Sequence, residues 1–225
     1  MIKRIVTGLF LLLFIQNLFG NDNEEFRATW VITWELISSS KSTDQNKALA
    51  REILDNHKKA NMNAVLWQCR QGGTAYYNSS YEPWGYYAGY NDPGYDPLAY
   101  AVEEAHKRGM ELHAWFNVFQ TSETRIQGTP AIEHPEWICR DRDGNPMTSS
   151  RAVSPGLDAV REYTINVAME IVRNYDIDGL HLDYVRWNEY SGSEISQQLA
   201  KQAEDQRQPA YPARSRRGCE PSSSA

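Results

Sequence analysis

Apolar residues along the chain follow two periods, and the alternation between them predicts its elements. Four short runs rich in Val, Ile, Trp, Phe and Leu read as strands: Phe26–Glu35, Asn63–Arg70, Met110–Phe119 and Leu180–Val185. Between them the spacing becomes helical. Leu49, Ile53, Leu54 and His57 form one stripe ending near Ala60, and Ser42 with Gln45 has the form of a capping box. Leu98, Ala101, Val102 and Ala105 form a second, opened by Asp96-Pro97 and stopped by Gly109. Leu157, Val160, Thr164, Val167, Ala168, Ile171 and Val172 form a third, which Ser154-Pro155 is expected to cap. Strands alternating with helices predict a parallel α/β sheet, because parallel neighbours need crossover connections.

Two connections are long. Gln71–Asp96 holds eight aromatic residues (Tyr76, Tyr77, Tyr81, Trp84, Tyr86, Tyr87, Tyr90 and Tyr95), and Gln120–Val153 contains a hairpin expected to turn at Asp143-Gly144. Both leave the C-terminal ends of strands, the edge where a (β/α)-barrel builds its site. Residues 1–20, with Lys3 and Arg4 before apolar Ile5–Phe19 and small Gly20, read as a signal peptide; a retained membrane anchor is the alternative. The expected location is secreted or periplasmic, and no other segment is apolar enough to cross a membrane. From residue 191 to 225 the chain is polar: a short helix over Ser193–Asp205 and then disorder are expected.

A net charge of −6 gives no reason to expect nucleic-acid binding. Three cysteines, Cys69, Cys139 and Cys219, make neither a disulfide framework nor a zinc site. No metal or phosphate motif is present, so neither a metal nor another cofactor is expected. The pattern leaves the oligomeric state open.

The candidate chemistry centres on Tyr175–Trp187. Side chains alternate along a strand, so Leu180 and Leu182 share one face while His181 and Asp183 share the other, with Arg186 just beyond. A carboxylate on an inner face needs a partner or a use. Asp183 is therefore either catalytic or a buried partner of Arg186. The same alternation groups His113, Trp115 and Asn117, and likewise Leu66, Gln68 and Arg70. His113, Asn117, Gln68 and Arg70 could hold a ligand or simply brace the interior, and Trp67 faces the core. Within the aromatic loop, Trp84 and Tyr77 are the first choices for contact with a ligand; the alternative is anchoring of the loop. Glu35 is the other carboxylate expected at a strand end.

His113-Ala114-Trp115-Phe116-Asn117, together with Asp178-Gly179-Leu180-His181-Leu182-Asp183-Tyr184-Val185-Arg186, resembles glycosyl-hydrolase-like family ten. RATW (27–30), LWQCR (66–70), YYNSSYEPW (76–84), GYDPL (94–98), HPEW (134–137) and SPGLDAVREY (154–163) extend the resemblance over Glu24–Trp187. It implies the N-terminal half of a (β/α)8 TIM barrel over residues 24–190, about four βα units, and hydrolysis of O-glycosyl bonds in a poly- or oligosaccharide, a cell-wall glycan among the candidates. It places Asp183 where α-amylase-like barrels carry their nucleophile, with His181 standing in place of an Arg. His181 and Arg186 would then contact substrate or carboxylate. Such chemistry uses two carboxyl groups, ~5–5.5 Å apart for retention or ~6.5–9.5 Å for inversion. A whole barrel typically needs ~250 residues, so a truncated chain, inactive alone, is expected. The alternatives are a carbohydrate-binding protein without chemistry and, because half a barrel leaves open edges, a chain without a stable fold.

Overall fold

A computed structural model describes residues 25–140, 144–147 and 151–185. The expected signal peptide, the polar tail, Asp143 and Arg186 lie outside the described residues. In chain order the elements are β1 (Trp30–Val31), α1 (Thr33–Leu36), α2 (Thr43–Lys59), β2 (Ala64–Gln71), β3 (Thr74–Ala75), α3 (Pro97–Lys107), β4 (Glu111–Asn117), α4 (Pro130–Glu133), α5 (Asp158–Asn174) and β5 (Gly179–Asp183). The sheet runs β1-β2-β4-β5 with every neighbour parallel, and β3 folds back antiparallel on the end of β2. One long helix connects each consecutive parallel pair, as a (β/α)-barrel requires.

The caps act largely as the sequence suggests. Ser42 Oγ accepts the Gln45 N–H at 3.2 Å while Gln45 Oε1 accepts the Ser42 N–H at 2.9 Å. Asp96 Oδ1 accepts the Ala99 N–H at 3.0 Å with Pro97 at the first helical position. Gly109, just past α3, has φ +64, where a side chain would be strained. Ser154 differs from expectation. Its Oγ accepts the Gly156 N–H and its carbonyl accepts the Leu157 N–H, so it closes a turn, and α5 begins at Asp158 without a side-chain cap.

The first strand is shorter than its hydrophobic run. The Thr33 N–H donates to Gln68 Oε1 (3.0 Å) and Thr33 Oγ1 to Gln71 Oε1 (2.7 Å), so the backbone leaves the ladder and turns into α1. Glu35 consequently sits exposed on a helical turn rather than at a strand end.

Val31, Val65, Trp67, Leu112, Ala114 and Phe116 face the helices and are buried. They form one core with Leu54, Leu98, Ala101, Val102, Ala105, Val167 and Ile171. Burying each larger side chain contributes about 1.5–3 kcal/mol, which sets the helices on this face. Leu157, Val172 and Leu182, expected in apolar stripes, are exposed. Leu157 immediately precedes the last described helix, and Val172 and Leu182 lie on that helix and the last described strand, beyond which no further described element packs. Ladder pairing shifts between Gln68, opposite Trp115, and Arg70, opposite Phe116. That extra residue reverses parity, so Arg70 does not share a face with Gln68 but turns to the helix side. Its guanidinium lies 4.8 Å from the centre of the Phe116 ring. Across Gly144 the chain does reverse, with Arg140 and Pro146 in an antiparallel bridge. Among the described residues no helix is long and apolar enough to cross a membrane.

Candidate active site

The opposite face of the sheet is concave and carries the candidate residues in layers. At the base, a Cβ on Gly179 would lie 2.3 Å from His113 Nδ1, so only glycine lets the imidazole rest against β5. Phe26 meets the same ring edge-on at 5.2 Å, and His113 Nε2 is 2.9 Å from Glu111 Oε2. Neighbouring Asp178 accepts from His106 Nε2 (2.9 Å) and from the Leu112 N–H (2.8 Å). Partial burial alone would raise its pKa, but these hydrogen bonds outweigh burial and hold it below the usual carboxylate range. The Asp-Gly pair therefore locks the register of β5 and leaves the chemistry to the strand's other end.

Above it, the Trp30 indole N–H donates to His181 Nε2 at 3.1 Å, with the rings edge to face. At the top, the Trp115 indole N–H donates to Asp183 Oδ2 at 3.1 Å and the Tyr184 backbone N–H to Oδ1 at 2.6 Å. Asp183 is the last residue of β5 and is partly exposed. Tyr184 has φ +53, a strained conformation for an aromatic residue, as found where function over-determines the backbone. Beside this layer runs a buried chain of amides. Gln68 Nε2 donates to Asn117 Oδ1 at 3.5 Å, and Asn117 Nδ2 donates to Gln120 Oε1 at 3.2 Å.

The structure thus brings Gln68, His113, Asn117, His181 and Asp183 to one face. Arg70 is placed elsewhere: its guanidinium grips Glu82 through two bonds (2.8 and 2.5 Å), and both side chains are essentially fully buried. The same cation donates to the Val118 and Asn117 carbonyls, and the Tyr163 hydroxyl donates to Glu82. Burial opposes its charge, but Glu82 more than compensates and raises the Arg70 pKa. Arg70 thus ties the aromatic loop, through Glu82, to the end of β4. Tyr77 is 1% exposed and packs edge-on against Tyr175, so its ring is a loop anchor. Trp84 is half-buried and packed on the main core.

Residues that sequence reasoning did not single out line a cleft of about 140 Å³ at the same sheet edge: Gln71, Tyr86, Tyr87, Gln120, Glu123 and Arg125. The Arg125 guanidinium stacks 4.5 Å from the Tyr86 ring centre and pairs with Glu123 at 2.7 Å. Burial would raise the Glu123 pKa, yet bonds from Arg125 and Tyr90 bring it down to about 2. Glu123 is thereby ionised and cannot serve as a proton donor. Trp115 was visible in the alternation that named its neighbours, whereas the loop residues carry no periodic signal. Among the described residues no cluster of His, Cys, Asp or Glu could hold a metal ion.

A model of the family described as glycosyl hydrolase-like 10 matches residues 25–216. The chain belongs to the glycosyl hydrolase-like 10 family. The chain is 34% identical over 178 residues to glycosyl hydrolase YngK of Bacillus subtilis (strain 168), covering 73% of this chain and 34% of that protein. Glycosyl hydrolase DigH of Escherichia coli (strain K12) is 30% identical over 204 residues, 77% of this chain and 45% of DigH. The chain therefore spans less than half the length of these relatives. Alpha-L-fucosidase isoenzyme 2 from Paenibacillus thiaminolyticus superposes with a TM-score of 0.54 at 17% identity, over 83% of this chain and 27% of that one. That likeness supports the fold, a partial (β/α)8 barrel. Membership of glycosyl hydrolase-like 10 extends past Trp187, where the sequence motifs end, to residue 216.

Proposed function

We propose that the chain is the Asp183-bearing part of an exported glycoside hydrolase that cleaves O-glycosyl bonds in a poly- or oligosaccharide, with a cell-wall glycan as the first substrate to try. One observation carries the reading: Asp183 ends the last described strand on the concave face, both carboxylate oxygens engaged by N–H donors. That edge is where barrels of this type place their chemistry. Export rests on Lys3, Arg4 and the apolar run to Phe19.

Glycoside hydrolysis needs one ionised and one protonated carboxyl group. In this reading Asp183 takes the nucleophile's place. Of the buried loop acids, Glu82 is committed to Arg70 and Glu123 to Arg125. The proton donor in this reading comes from outside the described residues. His181 lies below Asp183 on the same face and His113 lower still, against Gly179, and Arg186, Gln68 and Asn117 remain candidates for holding the carboxylate or the sugar.

The second reading, carbohydrate binding without chemistry, is favoured by the cleft between half-exposed Tyr86, Gln120 and Arg125. Incubating the chain with denuded cell-wall glycans and α-glucans, alone and mixed with the C-terminal part of the Bacillus subtilis relative, separates the two. Reducing ends released in the mixture support the hydrolase. Retention of glycan with no release in either sample supports the binding module, and neither binding nor release removes both.

A further inference from the structure

Trp115 is a side chain to which the hydrolase reading assigns no task. It lies on β4 in register with His181 on β5, and it is 8% exposed. Its N–H nevertheless bypasses His181 and reaches Oδ2 of Asp183, two residues further along the strand. The other oxygen is taken by the backbone N–H of the next residue, Tyr184. A carboxylate at a strand end is otherwise free to turn about two side-chain torsions. Here a ring wedged in the sheet holds one oxygen and the following peptide N–H holds the other.

We propose that Trp115 is a positioning residue for hydrolysis: it fixes the plane of the Asp183 carboxylate against the concave face, so that the bound sugar meets it in one orientation. This role rests on the hydrolase reading of Asp183. Misplacement of a reacting group by 1 Å can cost about a hundredfold in rate, so a rigid donor at this atom has a direct kinetic consequence. The competing account is that Asp183 merely satisfies a buried indole N–H. The two accounts differ in which partner matters to turnover.

The test uses the full chain, wild type and Trp115→Phe, in the hydrolysis assay above, with the indole N–H groups labelled with 15N. The substitution keeps an aromatic ring and removes the donor. A hydrogen bond to a charged group corresponds to about a ten- to hundredfold effect. The expected result is a loss of kcat of that size with KM changed less than about twofold. The Trp115 indole resonance, identified by its absence from Trp115→Phe, should also move in Asp183→Asn. An unchanged kcat in Trp115→Phe, or a KM that changes as much as kcat, would overturn the role, as would an indole resonance indifferent to Asp183→Asn. If the wild type hydrolyses no glycan in either sample, the hydrolase reading fails and the role with it, while the resonance still reports whether the contact forms.

Discussion

The indole N–H of Trp30 donates to Nε2 of His181, 3.1 Å away, although β2 and β4 separate their strands in the sheet. Three inter-strand steps of about 4.8 Å would hold the two backbones roughly 14 Å apart in a flat sheet. The contact therefore reports curvature, and it marks the concave side as a barrel interior. Trp30→Phe keeps the ring and removes the donor. We expect it to lower unfolding stability by about 0.5–1.5 kcal/mol in urea titration, with the smaller figure favoured because Trp30 is 59% exposed. A midpoint equal to wild type would show that the contact does not help close the curve.

Arg70 and Glu82 make the opposite kind of contact, buried on the helix side. Removing one partner of such a pair strands a charge, at about 3–5 kcal/mol, while replacing both with apolar residues can be nearly neutral. Glu82→Leu should therefore destabilise strongly, and Arg70→Met with Glu82→Leu should recover much of the loss. Equal stability of the single and double variants would contradict the arrangement.

Gly179 leaves room for one imidazole and nothing more. Gly179→Ala should cost about 1–3 kcal/mol through overpacking, and His113→Ala in the same chain should relieve most of it. Thermal melts of the four proteins in that cycle measure the coupling. Additive losses would mean that the close approach is not what requires glycine.

Glu123 links stability to acid. Its pKa falls from an ordinary 4.5 to about 2 on folding. A lowered folded value means its contribution is full above the unfolded pKa and fades as pH drops towards the folded one. Wild type should exceed Glu123→Gln in melting temperature at about pH 6, with the gap closing from about pH 4.5 down to 2. A gap independent of pH would remove the ion pair with Arg125 as its cause.

How far the sequence could be read follows from where a period exists. Buried Leu98, Ala101, Val102 and Ala105 repeat at helical spacing, and the α3 stripe was legible to the residue. The grouping of His113, Trp115 and Asn117 needed only strict alternation along β4. Arg70 was misassigned because one extra residue near Cys69 reverses parity, which no composition signals. Glu35 was misplaced because side-chain bonds from Gln68 and Gln71, remote in sequence, end β1 early. Tyr77 and Tyr86 look alike in a loop crowded with aromatics. Only the packing shows one buried and the other half-exposed.

The most direct measurement is glycan hydrolysis by wild type and Asp183→Asn, each supplemented with the C-terminal part of the Bacillus subtilis relative, alongside melting curves of both chains. Asn preserves shape and removes the charge. A catalytic carboxylate should show at least about a hundredfold loss of reducing-end release at unchanged melting temperature. Release by Asp183→Asn at the wild-type rate would contradict the assignment of Asp183.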